Sequence, residues 1–183
     1  MAGRRDWAMA EFESWYRAES TRLVEVLTLA LGEPDLAKDS ADEAFVRAYE
    51  RWPRVSAMES PTGWTYKVAL NYGRRRARRR RIERALLMRQ ARDRSARGSP
   101  RGGDTDLWTI VSSLPGRQRT AIVLRYLGDF SESEVARLMG ISAGAASSSL
   151  SAARHRLAEL VKDDDRRSWT APEGDTWMSA RGK

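Results

Sequence analysis

The chain has 183 residues, 33 lysines and arginines against 25 acidic residues for a net charge of +8, no cysteine, and one histidine, His155. That length holds one domain or two small ones; the missing cysteines exclude disulfides and thiolate metal sites, and a lone histidine excludes a multi-histidine metal site. No apolar run reaches the ~18 residues of a membrane span, the start Met1-Ala-Gly-Arg-Arg-Asp-Trp7 lacks a signal peptide's apolar core, and no paired-acid motif or glycine-rich phosphate loop stands out, so a cytoplasmic, cofactor-free protein that is not an enzyme is expected.

Residues 7–31 read as a helix with Phe12, Trp15, Leu23, Leu27 and Ala30 as its core face, closed by Gly32-Glu-Pro34. Residues 35–52 read as a second helix, in which Ala41, Ala44, Phe45, Ala48, Tyr49 and Trp52 follow three-four spacing and are expected to be buried. Asp39, Asp42, Glu43 and Glu50 share a different face with Val46 among them. An acidic face is commonly just solvated; an exposed valine inside it favours a docking surface, because such patches need an apolar centre.

Residues 53–60 form a connector, and Ser60-Pro61 starts a third helix with serine at the cap and proline at the first helical position. Trp64 and Val68, four apart, share an apolar face, and their spacing favours a core role for Trp64. Lys67, Asn71, Arg74, Arg78 and Arg81 recur at four, three, four, three and form one polar stripe. Residues 74–84 hold eight arginines and one glutamate, so +7 of the chain's +8 is concentrated in eleven residues. Arginine runs also serve as solvated faces, localisation signals or membrane-surface patches. Trp64, Tyr66, Asn71 and Tyr72 on the same helix tilt the reading to nucleic acid, which needs stacking surfaces and amides beside its phosphate-binding cations.

The third helix is expected to fade near Arg92, and residues 93–106, with three glycines and a proline, read as a flexible linker. Beyond it, Leu107-Trp-Thr-Ile-Val111 opens a second helical domain, and Leu114-Pro115 leads into a helix with Ile122, Val123, Tyr126 and Leu127 as apolar positions. Ser131-Glu-Ser-Glu134 matches a capping box, a short helix carries Val135, Leu138 and Met139, and Gly140 turns the chain. A last helix buries Ala146, Leu150, Ala153, Leu157 and Leu160 and turns out Ser147, Ser148, Ser151, Arg154 and His155. A short helix, a glycine turn and a longer helix make a helix-turn-helix, whose second helix enters the major groove. Residues 162–183 form a polar tail whose Trp169 and Trp177 either pack back on a domain or anchor a partner. The expected fold is all-α: domain 1–92, linker 93–106, domain 107–161 and tail 162–183.

Over about residues 11–161 this order of parts resembles a bacterial RNA polymerase sigma factor of the extracytoplasmic-function group within the sigma-70 family. Asp39-Ser-Ala-Asp-Glu-Ala-Phe-Val-Arg-Ala-Tyr49 is similar to the family's polymerase-binding helix, Trp64-Thr-Tyr-Lys-Val-Ala-Leu-Asn71 to the helix that melts and reads the minus-10 element, and Leu114-Pro-Gly-Arg-Gln-Arg119 with Leu124-Arg-Tyr-Leu127 to the opening of the minus-35 domain. The resemblance implies core RNA polymerase docking at Asp39, Asp42, Glu43 and Val46, minus-10 contacts from Lys67, Asn71, Tyr72, Arg74, Arg75, Arg78 and Arg81, a flipped base held by the connector, and minus-35 contacts from Arg125, Ser147, Ser148, Ser151 and Arg154. It implies promoter DNA and core polymerase as partners and admits an anti-sigma factor. Two departures stand out: Asp42 replaces a usual glutamine, and serines occupy positions 147 and 149, where the family commonly has basic residues, so weak independent minus-35 binding is expected. The competing readings are a helix-turn-helix regulator that works without polymerase and a sigma-like interaction protein that does not start transcription.

Overall fold

The computed structural model describes residues 2–90 and 107–168, in which eight helices appear: α1 Ala2–Leu31, α2 Pro34–Glu50, α3 Trp52–Val55, α4 Pro61–Gln90, α5 Leu107–Ser112, α6 Gly116–Tyr126, α7 Glu132–Met139 and α8 Ala143–Ser168. Most sequence-derived boundaries hold. The differences are that α1 starts earlier, at Ala2, that the connector begins with the short helix α3, and that α8 runs to Ser168, into the stretch expected to be tail. The linker expected over 93–106 and the tryptophans at 169 and 177 lie outside the described residues.

Local chemistry explains the punctuation. Gly32 takes φ +76° and its N–H donates to the Thr28 carbonyl, ending α1, and Pro34 then supplies the first turn of α2. Ser60 Oγ accepts from the Gly63 N–H at 2.9 Å, as its cap role requires. Ser131 and Glu134 close the capping box in both directions, and Gly140 sits in the left-handed region at φ 65°, between α7 and α8.

In the N-terminal half, Leu23, Val26, Leu27 and Ala30 of α1 pack with Ala37, Ala41, Ala44 and Phe45 of α2 and with Tyr66, Ala69 and Leu70 of α4. Gly73 lets α4 come close: a Cβ there would stand 2.6 Å from a Leu31 methyl and 2.9 Å from Ser40 Oγ. A smaller cluster of Ala48, Trp52 and Val55 is backed by Phe12, Trp15 and Trp64, and Trp52 Nε1 donates to Glu11 at 3.0 Å. The C-terminal half closes over Leu114, Ala121, Ile122, Leu124, Val135, Leu138, Ala146, Leu150 and Ala153. Burying each large aliphatic side chain contributes about 1.5–3 kcal/mol, which is what holds bundles this small.

The two halves are not separate cores. Their buried residues form one continuous cluster, with α1 packed on α6 and α4 on α7. Tyr66 meets Phe130 edge-on, ring centroids 4.9 Å apart. Arg119 of α6 donates to the Leu31 carbonyl at 3.2 Å, Thr120 donates to the Ala30 carbonyl at 3.3 Å, Arg22 donates to the Leu127 carbonyl at 3.2 Å, and Arg74 donates to the Met139 carbonyl at 2.9 Å. Arg119 and Arg74 each cap the C-terminal carbonyls of a helix in the other half, where those groups lack intrahelical partners and the helix dipole favours a cation.

Candidate nucleic-acid interface

Three surfaces matter, one on α2, one on α4 and one on α8. On α2, Asp39, Asp42 and Val46 are exposed and Glu43 is half-buried, all on one side of the helix. Arg47 pairs with Glu43 at 2.6 Å, a surface contact worth little. Tyr49, expected to be buried, is 52% exposed. Its ring leans edge-on against Phe12 at 5.1 Å and its hydroxyl reaches the Met9 sulfur at 3.5 Å. Position 49 follows Phe45 by four and Val46 by three, so it lies on the border between the two faces, and spacing alone cannot assign it. With Val46 it gives the acidic face a broader apolar centre.

On α4, Lys67, Asn71, Arg75, Arg78 and Arg81 stand exposed along one stripe, as spacing requires. Tyr72 is half-buried, with the Arg76 guanidinium 5.9 Å from its ring centre. Trp64 is half-buried against the Trp52 cluster, matching its core reading. Two residues behave differently from expectation. Tyr66, grouped by sequence with the stacking aromatics, is 2% exposed; burial raises its phenol above the ordinary value, and its hydroxyl finds no hydrogen-bond partner among the described residues. Arg74 is drawn off the stripe to the Met139 carbonyl, and burial, then Arg117, lower its guanidinium below the ordinary value. A signal for Tyr66 was present: residues 66, 69, 70 and 73 form a second stripe at three-four spacing, and all four are buried.

Where the connector meets α4, a cavity of about 210 Å³ is lined by Met58, Ser60, Trp64 and Lys67 on one side and by Phe130 and Arg137 on the other. The cavity adjoins the connector to which the resemblance gave a flipped base, and α7 forms one of its walls.

In the helix-turn-helix, Ser142 Oγ accepts from the Ala145 N–H at 3.2 Å and starts α8. Ser147, Ser148, Ser151, Arg154 and His155 are all exposed. Ser148 Oγ donates back to the Gly144 carbonyl at 2.8 Å, which leaves its lone pairs for an outside donor. Ser149 is 9% exposed and donates to the Ala145 carbonyl at 2.7 Å, so of the two serine departures only Ser147 lies on the outer face. Arg125 is half-buried and donates to the Phe130 carbonyl at 3.3 Å, clasping the turn between α6 and α7 in which Asp129 takes φ 58°.

Comparison with known proteins agrees with this layout. Residues 104–157 match the family described as Sigma-70, region 4. The chain is 29% identical over 157 residues to the RNA polymerase sigma-E factor of Streptomyces avermitilis, covering 85% of this chain and 87% of that one. It is 26% identical over 161 residues to the sigma-E factor of Streptomyces coelicolor, covering 86% and 91%. Among solved structures, its fold is similar to the sigma factor RpoE of Bartonella quintana, crystallised with the anti-sigma factor NepR, with a TM-score of 0.65 at 21% identity over 83% of this chain and 97% of that one. It is also similar to CnrH in complex with the cytosolic domain of CnrY, at a TM-score of 0.57 and 22% identity over 89% and 95%. With a helix-turn-helix half that matches Sigma-70 region 4 over residues 104–157 and more than four-fifths of its length aligned with sigma-E factors at 26–29% identity, the chain is similar along most of its length to RNA polymerase sigma factors.

Proposed function

We propose that this chain binds core RNA polymerase through the acidic and apolar face of α2 and directs it to promoters, α4 holding the minus-10 element and α8 the minus-35 element. The observation that carries the reading is the presence of all three surfaces on one chain: Asp39, Asp42, Glu43 and Val46 on α2, the cationic stripe Lys67–Arg81 on α4, and the exposed serine face of α8. A regulator working without polymerase would leave the first two surfaces without a task.

The division of labour follows from side-chain chemistry. Lys67, Arg75, Arg78 and Arg81 supply charge for the sugar-phosphate backbone, which fixes position without reading sequence. Asn71 and Tyr72 offer an amide and a ring edge to unstacked bases. Unstacking costs a few kcal/mol per base, so contacts within the polymerase complex must offset it. Arg154 attracts phosphate beside the serine face, and Arg74 and Arg125 join their DNA contacts only after leaving the carbonyls of Met139 and Phe130. The chain acts as a non-catalytic factor where polymerase works, in the cytoplasm; among the described residues no helix is long and apolar enough to cross a membrane. An anti-sigma factor is a fitting partner, given that the similar RpoE was solved in complex with the anti-sigma factor NepR.

The test is reconstituted transcription: the purified chain with core polymerase and a library of promoter fragments. Sequence-selective transcripts that vanish without the chain are expected; tight core binding with no transcripts from any fragment rejects the reading.

A further inference from the structure

Between the halves lies a cavity of about 380 Å³, lined by Leu31, Arg74, Arg117, Arg119, Met139 and Ile141, with no acidic side chain in its wall among the described residues. The volume is that of a small-ligand pocket, which spans about 300–1,000 Å³. Three guanidiniums from two different halves thus face one space. Arg119 is committed to the carbonyls of Leu31 and Ser112, and Arg74 spends one donor on Met139. Arg117 is exposed and stands near enough to Arg74 to disfavour its charge. Glu33 is not in the wall; it pairs with Arg80 at 3.1 Å. Gly116, at the start of α6, borders the same space, and that helix has no side-chain cap on its first N–H groups. Like charges gathered in a partly desolvated cleft repel unless an anion sits among them, and the arginine fork suits phosphate.

We propose that this cavity binds a small phosphate-bearing anion of the pyrophosphate or nucleoside-polyphosphate class, and that the anion fastens the two halves together. Arg117 and the free donors of Arg74 grip its oxygens from opposite halves. The aliphatic wall of Leu31, Met139 and Ile141 lowers the local dielectric and strengthens the grip. The bound anion holds Arg74 away from promoter phosphate, so it disfavours the DNA-binding arrangement. The inference rests on the closed packing and builds on the promoter-directing reading.

The experiment uses the full chain without polymerase or promoter. Thermal unfolding is followed while tripolyphosphate is titrated at constant ionic strength, with sulfate and a short single-stranded oligonucleotide as separate arms. A ligand that binds only the closed form raises Tm with its concentration. Saturable stabilisation by tripolyphosphate is expected, with affinity falling about tenfold in Arg117→Ala, the share of one charge-assisted hydrogen bond. Arg117 is exposed, so its removal spares the fold, and Arg156→Ala, also exposed, serves as the charge-matched control and binds like wild type. Equal stabilisation by sulfate, or equal affinity in Arg117→Ala and wild type, overturns the site. Tighter, Arg117-dependent binding of the oligonucleotide overturns the small-anion occupant in favour of strand phosphate. Neither failure touches the promoter-directing reading, which stands or falls on transcripts.

Discussion

Arg74 donates a 2.9 Å hydrogen bond to the main-chain carbonyl of Met139, tying the cationic helix of one half to the end of the first helix of the helix-turn-helix in the other. One guanidinium therefore serves two arrangements: it caps α7 in the closed chain, and it reaches promoter phosphate only in an open one. Substituting Arg74→Ala removes a charged donor from a half-buried carbonyl, a loss of about 1.5–3 kcal/mol to the closed arrangement. The chain has no cysteine, so Lys38→Cys and Arg156→Cys give two clean label positions on opposite halves. The expected outcome is a larger population of long inter-label distances in Arg74→Ala; an unchanged distribution shows that the bond is incidental.

Reversing charge at Asp39 and Glu43 is expected to weaken core polymerase binding while helical content stays nearly constant. Exposed substitutions of this kind usually move stability within about ±0.5 kcal/mol, and the Arg47 pair lost with Glu43 lies at the surface. Tyr49→Ala is expected to weaken the same binding, through loss of an aromatic anchor in the patch. Polymerase affinity measured by titration checks both; full affinity in the double reversal moves the docking surface elsewhere.

For the α4 stripe, alanine at Lys67, Arg78 or Arg81 is expected to weaken DNA binding on every sequence alike and to lower the salt slope by about one per lost contact. Asn71→Ala is expected to leave that slope unchanged and to impair minus-10 discrimination or opening. Normal opening by Asn71→Ala on the wild-type promoter would return the residue to a structural role.

The capping box gives a pH dependence. Hydrogen bonds from the Ser131 side chain and N–H hold the Glu134 carboxyl below its ordinary value of 4.5. A carboxyl lowered by folding adds stability above its unfolded pKa and loses it as pH falls through the folded value. Glu134→Gln is therefore expected to be less stable than wild type near neutrality, with the gap shrinking as pH drops below 4.5. Ser131→Ala costs about 1 kcal/mol near neutrality, and part of that cost disappears over the same window, because the Ser131 hydroxyl is one of the groups that lower the Glu134 carboxyl. Melting curves across that window decide; a gap that does not change with pH shows that the carboxylate is not the source.

What the sequence made readable was local. The Ser60 cap, the Ser131–Glu134 box, the Gly140 turn and the outward serines of α8 each depend on residues within a few positions, and all appear as expected. Misassignments cluster where a partner comes from far along the chain. Phe130 covers Tyr66 and Met139 draws in Arg74, from 64 and 65 positions away; periodicity marks the buried stripe of Tyr66 but not its partner, and for Arg74 it marks neither. Tyr49, expected to be buried, is exposed instead, and its neighbours Phe12 and Met9 belong to another helix, which spacing within α2 cannot register. The resemblance reached further than spacing could, since it implies a task for each surface, yet it too is silent on how the halves of this particular chain meet.

The edge-on pair of Tyr66 and Phe130 sets a condition on the active life of the protein. Separating the halves lays two buried rings bare to water, together with the Tyr66 hydroxyl, which has no partner among the described residues. An unattended open molecule is then a sticky one, inclined to self-associate or to meet a protease before it meets a promoter. The working pool of this factor is thus governed by the supply of surfaces that cover those rings, so overproducing the chain without matching polymerase should fill inclusion bodies sooner than it raises transcription.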